Sequence, residues 1–152
     1  MNGGNEEMTA AAAHVHSSRC LSPEELGKRT DKFQRRYWVK VGAPESPPQD
    51  ARSCSKALEE MHGDVSARSL APWRYRMNRD VDRFPPDIAF AECLCQGCII
   101  DQREDLSYNS LPVMVQLMVL SRSLCPSDPD KYVITKDSIH VPVACTCVVP
   151  RS

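Results

Sequence analysis

Ile139-His140-Val141-Pro142-Val143-Ala144-Cys145-Thr146-Cys147-Val148-Val149 is the stretch that decides the fold. Ile139, Val141, Val143, Cys145, Cys147 and Val149 recur at every second position, the period of a strand, so their side chains share one face. Pro142 lacks an N–H and is tolerable only at an edge or a bulge. Cys145 and Cys147 therefore point the same way, and both can bond to one neighbouring segment. About fifty residues earlier, Cys93-Leu94-Cys95-Gln96-Gly97-Cys98 offers three thiols within six residues. Cysteines this close cannot easily satisfy one another, so the two clusters imply bonds between distant segments.

Cys20, Cys54 and Cys125 bring the count to eight in 152 residues. An even count at tight spacings suits a disulfide framework in an oxidising compartment, or a metal site in a reducing one. Six of the eight lie between Cys93 and Cys147, so the C-terminal half is as cysteine-dense as a small secreted scaffold. A core that small needs covalent help. The formal net charge is −1 with both signs scattered along the chain, so no global field draws it to nucleic acid or to a membrane. The longest apolar run, 111–120, is about half the roughly 20 residues that span a bilayer and contains Gln116, so no membrane insertion is expected.

Residues 1–19 carry no periodic pattern and are expected to be disordered, a leader or signal remnant. No signal peptide is evident: the first seven residues are acidic where a secretory signal is basic, and the apolar stretch that follows is weak. Ala10, Ala11, Ala12 and Ala13 are candidates for the remnant of a cleavage region. Ser22-Pro23-Glu24-Glu25 predicts a helix start, with Ser22 as cap, Pro23 at the first helical position and two acids at the positive end, and the helix should run to about Arg36. Lys32-Phe33-Gln34-Arg35-Arg36-Tyr37-Trp38-Val39-Lys40 is basic and aromatic. It could touch a polyanion such as glycosaminoglycan, or be processed at Arg35-Arg36, but a solvated helix face explains it more simply. Three prolines in 41–50 mark a linker, and residues 20–67 read as an N-terminal extension. One or two helical turns fit 56–62.

From Arg68 the character turns to strand. Trp73-Arg74-Tyr75-Arg76-Met77 alternates apolar and basic residues, and the charged segment 78–86 reads as a loop before a second strand over 88–95. Residues 111–120 are apolar on both faces, with Val113, Val115, Leu117 and Val119 on one and Met114, Met118 and Leu120 on the other. Such a strand is buried twice, and a second subunit would supply the second cover.

Five ordered segments resemble the interleukin-17 cytokine family. They are Arg68-Ser69-Leu70-Ala71-Pro72-Trp73-Arg74-Tyr75, Asp82-Arg83-Phe84-Pro85, Ala89-Phe90-Ala91-Glu92-Cys93-Leu94-Cys95-Gln96-Gly97-Cys98, Asn109-Ser110-Leu111-Pro112-Val113 and Val141-Pro142-Val143-Ala144-Cys145-Thr146-Cys147-Val148. Within the family, Ile139-His140-Val141-Pro142-Val143 and the upstream Cys20-Leu21-Ser22-Pro23-Glu24-Glu25-Leu26 look most like the C-type branch. The resemblance implies an all-β, cystine-knot-like fold of two antiparallel β-ribbons over 68–152. It also implies secretion, a disulfide-supported homodimer, and binding to interleukin-17 receptor ectodomains, the A and E chains for a C-type ligand, with an inflammatory and antimicrobial response.

Carried over residue by residue, the family's pattern pairs Cys93 with Cys145 and Cys98 with Cys147. Cys125 takes the place of the inter-subunit cysteine and would bond Cys54 of the partner subunit, which leaves Cys20 and Cys95 unassigned or paired with each other. The family has serines where a full cystine knot has its third bridge; here Ser110 matches one and Ala71 replaces the other. Trp73, Arg74, Tyr75 and Arg76, with Asn78, Arg79, Asp80 and Arg83 of the charged loop, are the candidate receptor contacts, since aromatics beside arginine are enriched at interface hot spots. For Trp73 core packing is the stronger reading, on a face shared with Tyr75 and Met77, while Arg74 and Arg76 face outward. Two other functions compete. Four thiolates from the clusters could hold zinc in an intracellular structural protein, but Cys-x-x-Cys knuckles are the usual form. A cysteine nucleophile with His140 or His62 as base would make an enzyme, but no thiol stands apart from the rest.

Overall fold

Ser22 and Glu25 start the first helix reciprocally. The Ser22 hydroxyl accepts from the Glu25 N–H at 3.2 Å, and the Glu25 carboxylate accepts from the Ser22 N–H at 3.0 Å. With Pro23 at the first position, this capping box satisfies donors that a helix end leaves open, and α1 runs Pro23–Phe33. Helical structure ends close to the expected Arg36, but its last turn widens into a π-helical one, Gln34–Trp38. That turn brings two consecutive aromatics to one residue of a strand. The Trp38 indole N–H donates to the Met118 carbonyl at 3.0 Å, and the Tyr37 hydroxyl accepts from the Met118 N–H at 3.0 Å.

The structure is a computed structural model and describes residues 19–39 and 53–151. The disorder expected of 1–19, Arg19 excepted, and the linker expected over 41–50 lie outside the described residues. Two short helices follow, α2 at Cys54–Glu59 and α3 at Val65–Arg68. The rest is strand: β1 Trp73–Arg79, β2 Arg83–Phe84, β3 Asp87–Cys93, β4 Cys98–Ile100, β5 Arg103–Asp105, β6 Asn109–Cys125 and β7 Asp128–Val148. Strand β1 pairs with β3, β4 with β5, and β6 lies between β2 and β7. The fold is all-β and cystine-knot-like, in antiparallel sheets.

Both long strands exceed what the sequence pattern suggests. β6 extends beyond the apolar run through Arg122 and Ser123, and β7 passes without a break through the exposed Lys136, Asp137 and Ser138. Those polar residues look like a turn, yet an edge exposed to water accommodates them inside a strand.

Two compact units divide the chain. The first comprises Met1–Ala43, Arg79–Asp87 and Met118–Ile139. In it Leu21, Leu26, Leu120 and Ile134 are buried together, with Phe33, Phe84 and Tyr132 against them. Leu21 exchanges backbone hydrogen bonds of 2.7 and 2.8 Å with Tyr132, so the residue before α1 joins β7. The Arg122 guanidinium lies 5.9 Å from the Phe84 ring centre and 5.1 Å from that of Tyr132. The second unit comprises Pro44–Asn78, Ile88–Leu117 and His140–Ser152. It buries Ala71, Trp73, Ala91 and Cys145 in one cluster and Ala57, Cys95 and Ile99 in another.

Candidate functional site

Strand phase carries Cys145 and Cys147 of β7 to the segment that ends β3 and begins β4. Cys93 bonds Cys145 and Cys98 bonds Cys147, with Cα separations of 5.9 and 6.0 Å. The two bridges and the stretches 93–98 and 145–147 close a small covalent ring. Gly97 lies within it, buried against β5 so closely that a Cβ there would collide with the Asp105 carbonyl. The Glu104 carboxylate accepts from the Gln96 and Gly97 N–H groups at 3.1 and 2.8 Å, and the Ser110 hydroxyl donates to the Gly97 carbonyl at 2.6 Å. Ser110 thus satisfies backbone where a second hydroxyl is missing: Ala71 is buried in the cluster around Trp73.

The other four cysteines depart from the expectation. Cys54 bonds Cys95 of its own chain, tying α2 to the ring, and Cys20 bonds Cys125 of its own chain, tying the start of α1 to the end of β6. The inter-subunit bond between Cys54 and Cys125 and the mutual pairing of Cys20 with Cys95 are both replaced. The reason is placement: the Leu21 backbone pairing with Tyr132 holds Cys20 beside the β6–β7 turn, within reach of Cys125. All eight cysteines are bonded within the chain.

Those bonds bear on both competing chemistries. Cys54, Cys95 and Glu104 have donor atoms within 4.8 Å of one another, but both sulfurs are joined in a disulfide and offer no thiolate. Zinc is not favoured. His140 and His62 are exposed, and neither has a thiol to activate.

The expected contact residues separate by burial. Trp73 is core, 6 % exposed among Ala71, Ala91 and Cys145, so it is no surface residue, and its indole N–H finds no acceptor among the described residues. Tyr75 is half-buried against the same cluster. Arg83 is also withdrawn, at 7 % exposed. Its guanidinium donates to the Pro85 and Pro86 carbonyls at 3.1 and 3.0 Å, and burial pushes its pKa down. Two consecutive prolines turn carbonyls into a pocket without supplying N–H donors, and the planar guanidinium fills that need. Arg74 is half-buried in a 2.7 Å ion pair with Glu92, which Arg76 approaches at 3.5 Å from the exposed side. Arg79 and Asp80 are exposed, Arg79 pairing with Asp87 at 3.0 Å and Asp80 accepting from the Asp82 N–H at 3.0 Å; Asn78 is half-buried.

Strand β6 is covered less than its composition predicts. Leu111, Val113 and Met114 are 47 %, 37 % and 49 % exposed, whereas Val119 and Leu120 further along are buried.

The Interleukin-17 family model matches residues 69–149, more than half of the chain. The chain belongs to the interleukin-17 family. The match takes in the ring and the cluster around Trp73, and Cys95 and Ile99 of the second cluster but not its Ala57. Human interleukin-17C is 45 % identical over 102 residues, 62 % of this chain and 52 % of the relative; mouse interleukin-17C is 42 % identical over the same length. Rat interleukin-17F is 41 % identical over 88 residues, 57 % of this chain and 53 % of the relative. The chain spans about half the length of the curated relatives it matches. Interleukin-17 family members are secreted cytokines, not enzymes. No helix among the described residues is long and apolar enough to cross a membrane.

Sequence reasoning missed Glu104, Gly97 and the inward turn of Arg83. The Gly97 requirement had no signal beyond its place between two cysteines, since the carbonyl it must clear comes from β5, a strand that the sequence did not reveal.

Proposed function

We propose that this chain is a secreted cytokine that acts as a homodimer and engages interleukin-17 receptor ectodomains, the A and E chains by likeness to interleukin-17C, to trigger inflammatory and antimicrobial responses. The observation that carries the reading is the family match over 69–149, which encloses the disulfide ring and the strands it joins. The exposed Leu111 and Val113, on one face of β6, support a second copy as the cover for that face: such residues on a symmetric dimer meet their own kind. The dimer is held without covalent bonds between subunits, because every cysteine is already used. Two equivalent surfaces would then bring two receptor chains together, the second binding event being favoured by the first.

Residues 68–152 form the receptor-binding part in this reading, with 20–67 as an extension. Arg76, Arg79 and Asp80 are the exposed contact candidates, with Arg74, Tyr75 and Asn78 partly accessible beside them. Surface plasmon resonance against the A and E ectodomains tests it. Binding to one or both, weakened at least tenfold by Arg76→Ala with Arg79→Ala, is the expected result. No binding to either ectodomain by protein whose four bridges are verified by mass spectrometry would overturn the receptor reading. Sedimentation velocity tests the dimer separately, and a monomer at micromolar concentration would remove it.

A further inference from the structure

Helix α1 with its π-helical turn presents a cationic face that neither the disulfide ring nor the proposed receptor contacts use. Residues 28–36 read Lys-Arg-Thr-Asp-Lys-Phe-Gln-Arg-Arg, five cations and one acid, a net +4 in a chain whose total is −1. The cations fall at i, i+1, i+4, i+7 and i+8, the spacing of one helix face. Lys28, Arg29, Lys32, Arg35 and Arg36 are all exposed, whereas Leu26, Thr30 and Trp38 are buried and Phe33 and Tyr37 half-buried. The aromatics of this basic stretch therefore hold the helix down rather than meet a ligand. None of the five cations is in an ion pair among the described residues; the single recorded side-chain bond is from Arg35 Nε to its own helix, at the Asp31 carbonyl. The nearby Glu25 carboxylate is engaged by Ser22 and by Arg19 at 3.2 Å, so it does not neutralise the face.

We propose that this face binds sulfated glycosaminoglycan. It is a rigid array: the Cys20–Cys125 bridge fixes one end of α1, and the bonds of Tyr37 and Trp38 to Met118 fix the other. From Lys28 to Arg36 the row is about 12 Å long, at 1.5 Å per residue. A row of fixed cations with no apolar insert suits a linear polyanion whose charges repeat along its length, and arginine forks match sulfate as they match phosphate. An acidic membrane is the poorer fit, because an interfacial helix needs a free apolar face, and the apolar face of α1 is committed to the protein core. The same geometry argues against processing at Arg35-Arg36, since both residues lie within a hydrogen-bonded helical turn. The inference stands apart from the choice of receptor.

The test is salt elution from immobilised heparin, comparing the wild-type chain with Lys32→Gln/Arg35→Gln/Arg36→Gln and with Arg103→Gln/Arg151→Gln, two exposed arginines elsewhere. The triple variant should elute at lower salt and bind heparin about tenfold or more weakly near physiological ionic strength, with a shallower dependence on log salt by roughly one per lost contact. The Arg103/Arg151 variant should elute with the wild type. Lys28→Gln/Arg29→Gln, on the same face, provides an independent variant should the triple one misfold, and should shift elution the same way. Equal elution of the wild type and the α1 variants overturns the proposal. So does equal competition by fully desulfated heparin, or binding to phosphatidylcholine–phosphatidylserine vesicles as strong as binding to heparin.

Discussion

Removing the Cys20–Cys125 bridge with Cys20→Ser and Cys125→Ser tests both the internal pairing and the anchoring of α1. A bridge stabilises mainly by restricting the unfolded chain, more for a longer loop. The direct separation is 105 residues, but the other bridges shorten the covalent path. It runs 34 residues from Cys20 to Cys54, crosses to Cys95, goes two residues to Cys93, crosses to Cys145 and runs 20 residues back to Cys125, about 56 in all. For a loop of that size the chain-entropy relation gives about 4 kcal/mol. Domains are commonly stable by about 5–15 kcal/mol, so the loss is a large part of the whole.

In urea, with the remaining three bridges intact, that loss should move the unfolding midpoint down on the order of 2 M. Hydrogen exchange should show the amides of α1 losing protection first, because Leu21, Leu26 and Phe33 then rely on packing and on the Leu21–Tyr132 backbone hydrogen bonds without a covalent tie. The wild type should run as a monomer on a non-reducing denaturing gel. A wild-type dimer on that gel that disappears in Cys125→Ser would show Cys125 to be an inter-subunit cysteine after all. A midpoint change equivalent to under about 1 kcal/mol would refute the loop-entropy estimate.

Arg83→Lys should cost about 1–3 kcal/mol in urea unfolding, since one ammonium cannot reproduce the fork that serves the Pro85 and Pro86 carbonyls; an unchanged midpoint would show that the buried guanidinium is dispensable. Gly97→Ala should cost a similar amount, about 1–3 kcal/mol, because the new methyl meets β5 backbone rather than a movable side chain; a neutral result would mean that β5 moves freely from the ring. Glu25 supplies a pH dependence. The Ser22 backbone hydrogen bond holds its carboxyl below its ordinary 4.5, so the capping box contributes fully above that value and is lost as pH falls below it through the depressed pKa. A pH titration of the Ser22 amide by NMR should therefore show its inflection below 4.5, with Glu25→Gln abolishing it; an inflection above 4.5 would reverse the assignment.

Where local chemistry and tertiary structure agree, the sequence was readable. The alternation over 139–149 gave the phase of β7, and Ser22-Pro23-Glu24-Glu25 marked the start of α1 because cap and dipole effects act within one turn. The hairpin β4–β5 was not readable. Its turn residues Asp101 and Gln102 both adopt positive φ, 50° and 66°, and a glutamine there gives none of the usual Asn-Gly signal. The π-helical turn at Gln34–Trp38 was hidden for another reason: it follows from two aromatics meeting Met118, eighty residues away. The pairings of Cys20, Cys54, Cys95 and Cys125 depend on where α1 and α2 dock, which neither spacing nor strand phase encodes. Arg83 was misread because charge in a loop suggests exposure, whereas the proline carbonyls that draw it inward have no composition signature.

The closure of every cysteine within the chain changes what a dimer would have to rely on. Leu111, Val113 and Met114 are each roughly half exposed, so covering them recovers about half of the roughly 1.5–3 kcal/mol that full burial of such a side chain gives. Leu111 and Val113 share a strand face that Met114 does not, so a symmetric dimer over that face counts two residues twice, and the four contribute about 3–6 kcal/mol. Association costs about 4–15 kcal/mol in lost freedom before any net affinity appears. Leu111 and Val113 alone therefore hold a dimer only marginally, and without an inter-subunit bridge the assembly would form and dissociate with concentration. A ligand of that kind cross-links receptors most effectively where it is locally concentrated. A polyanionic matrix held on the cationic face of α1 would supply that concentration.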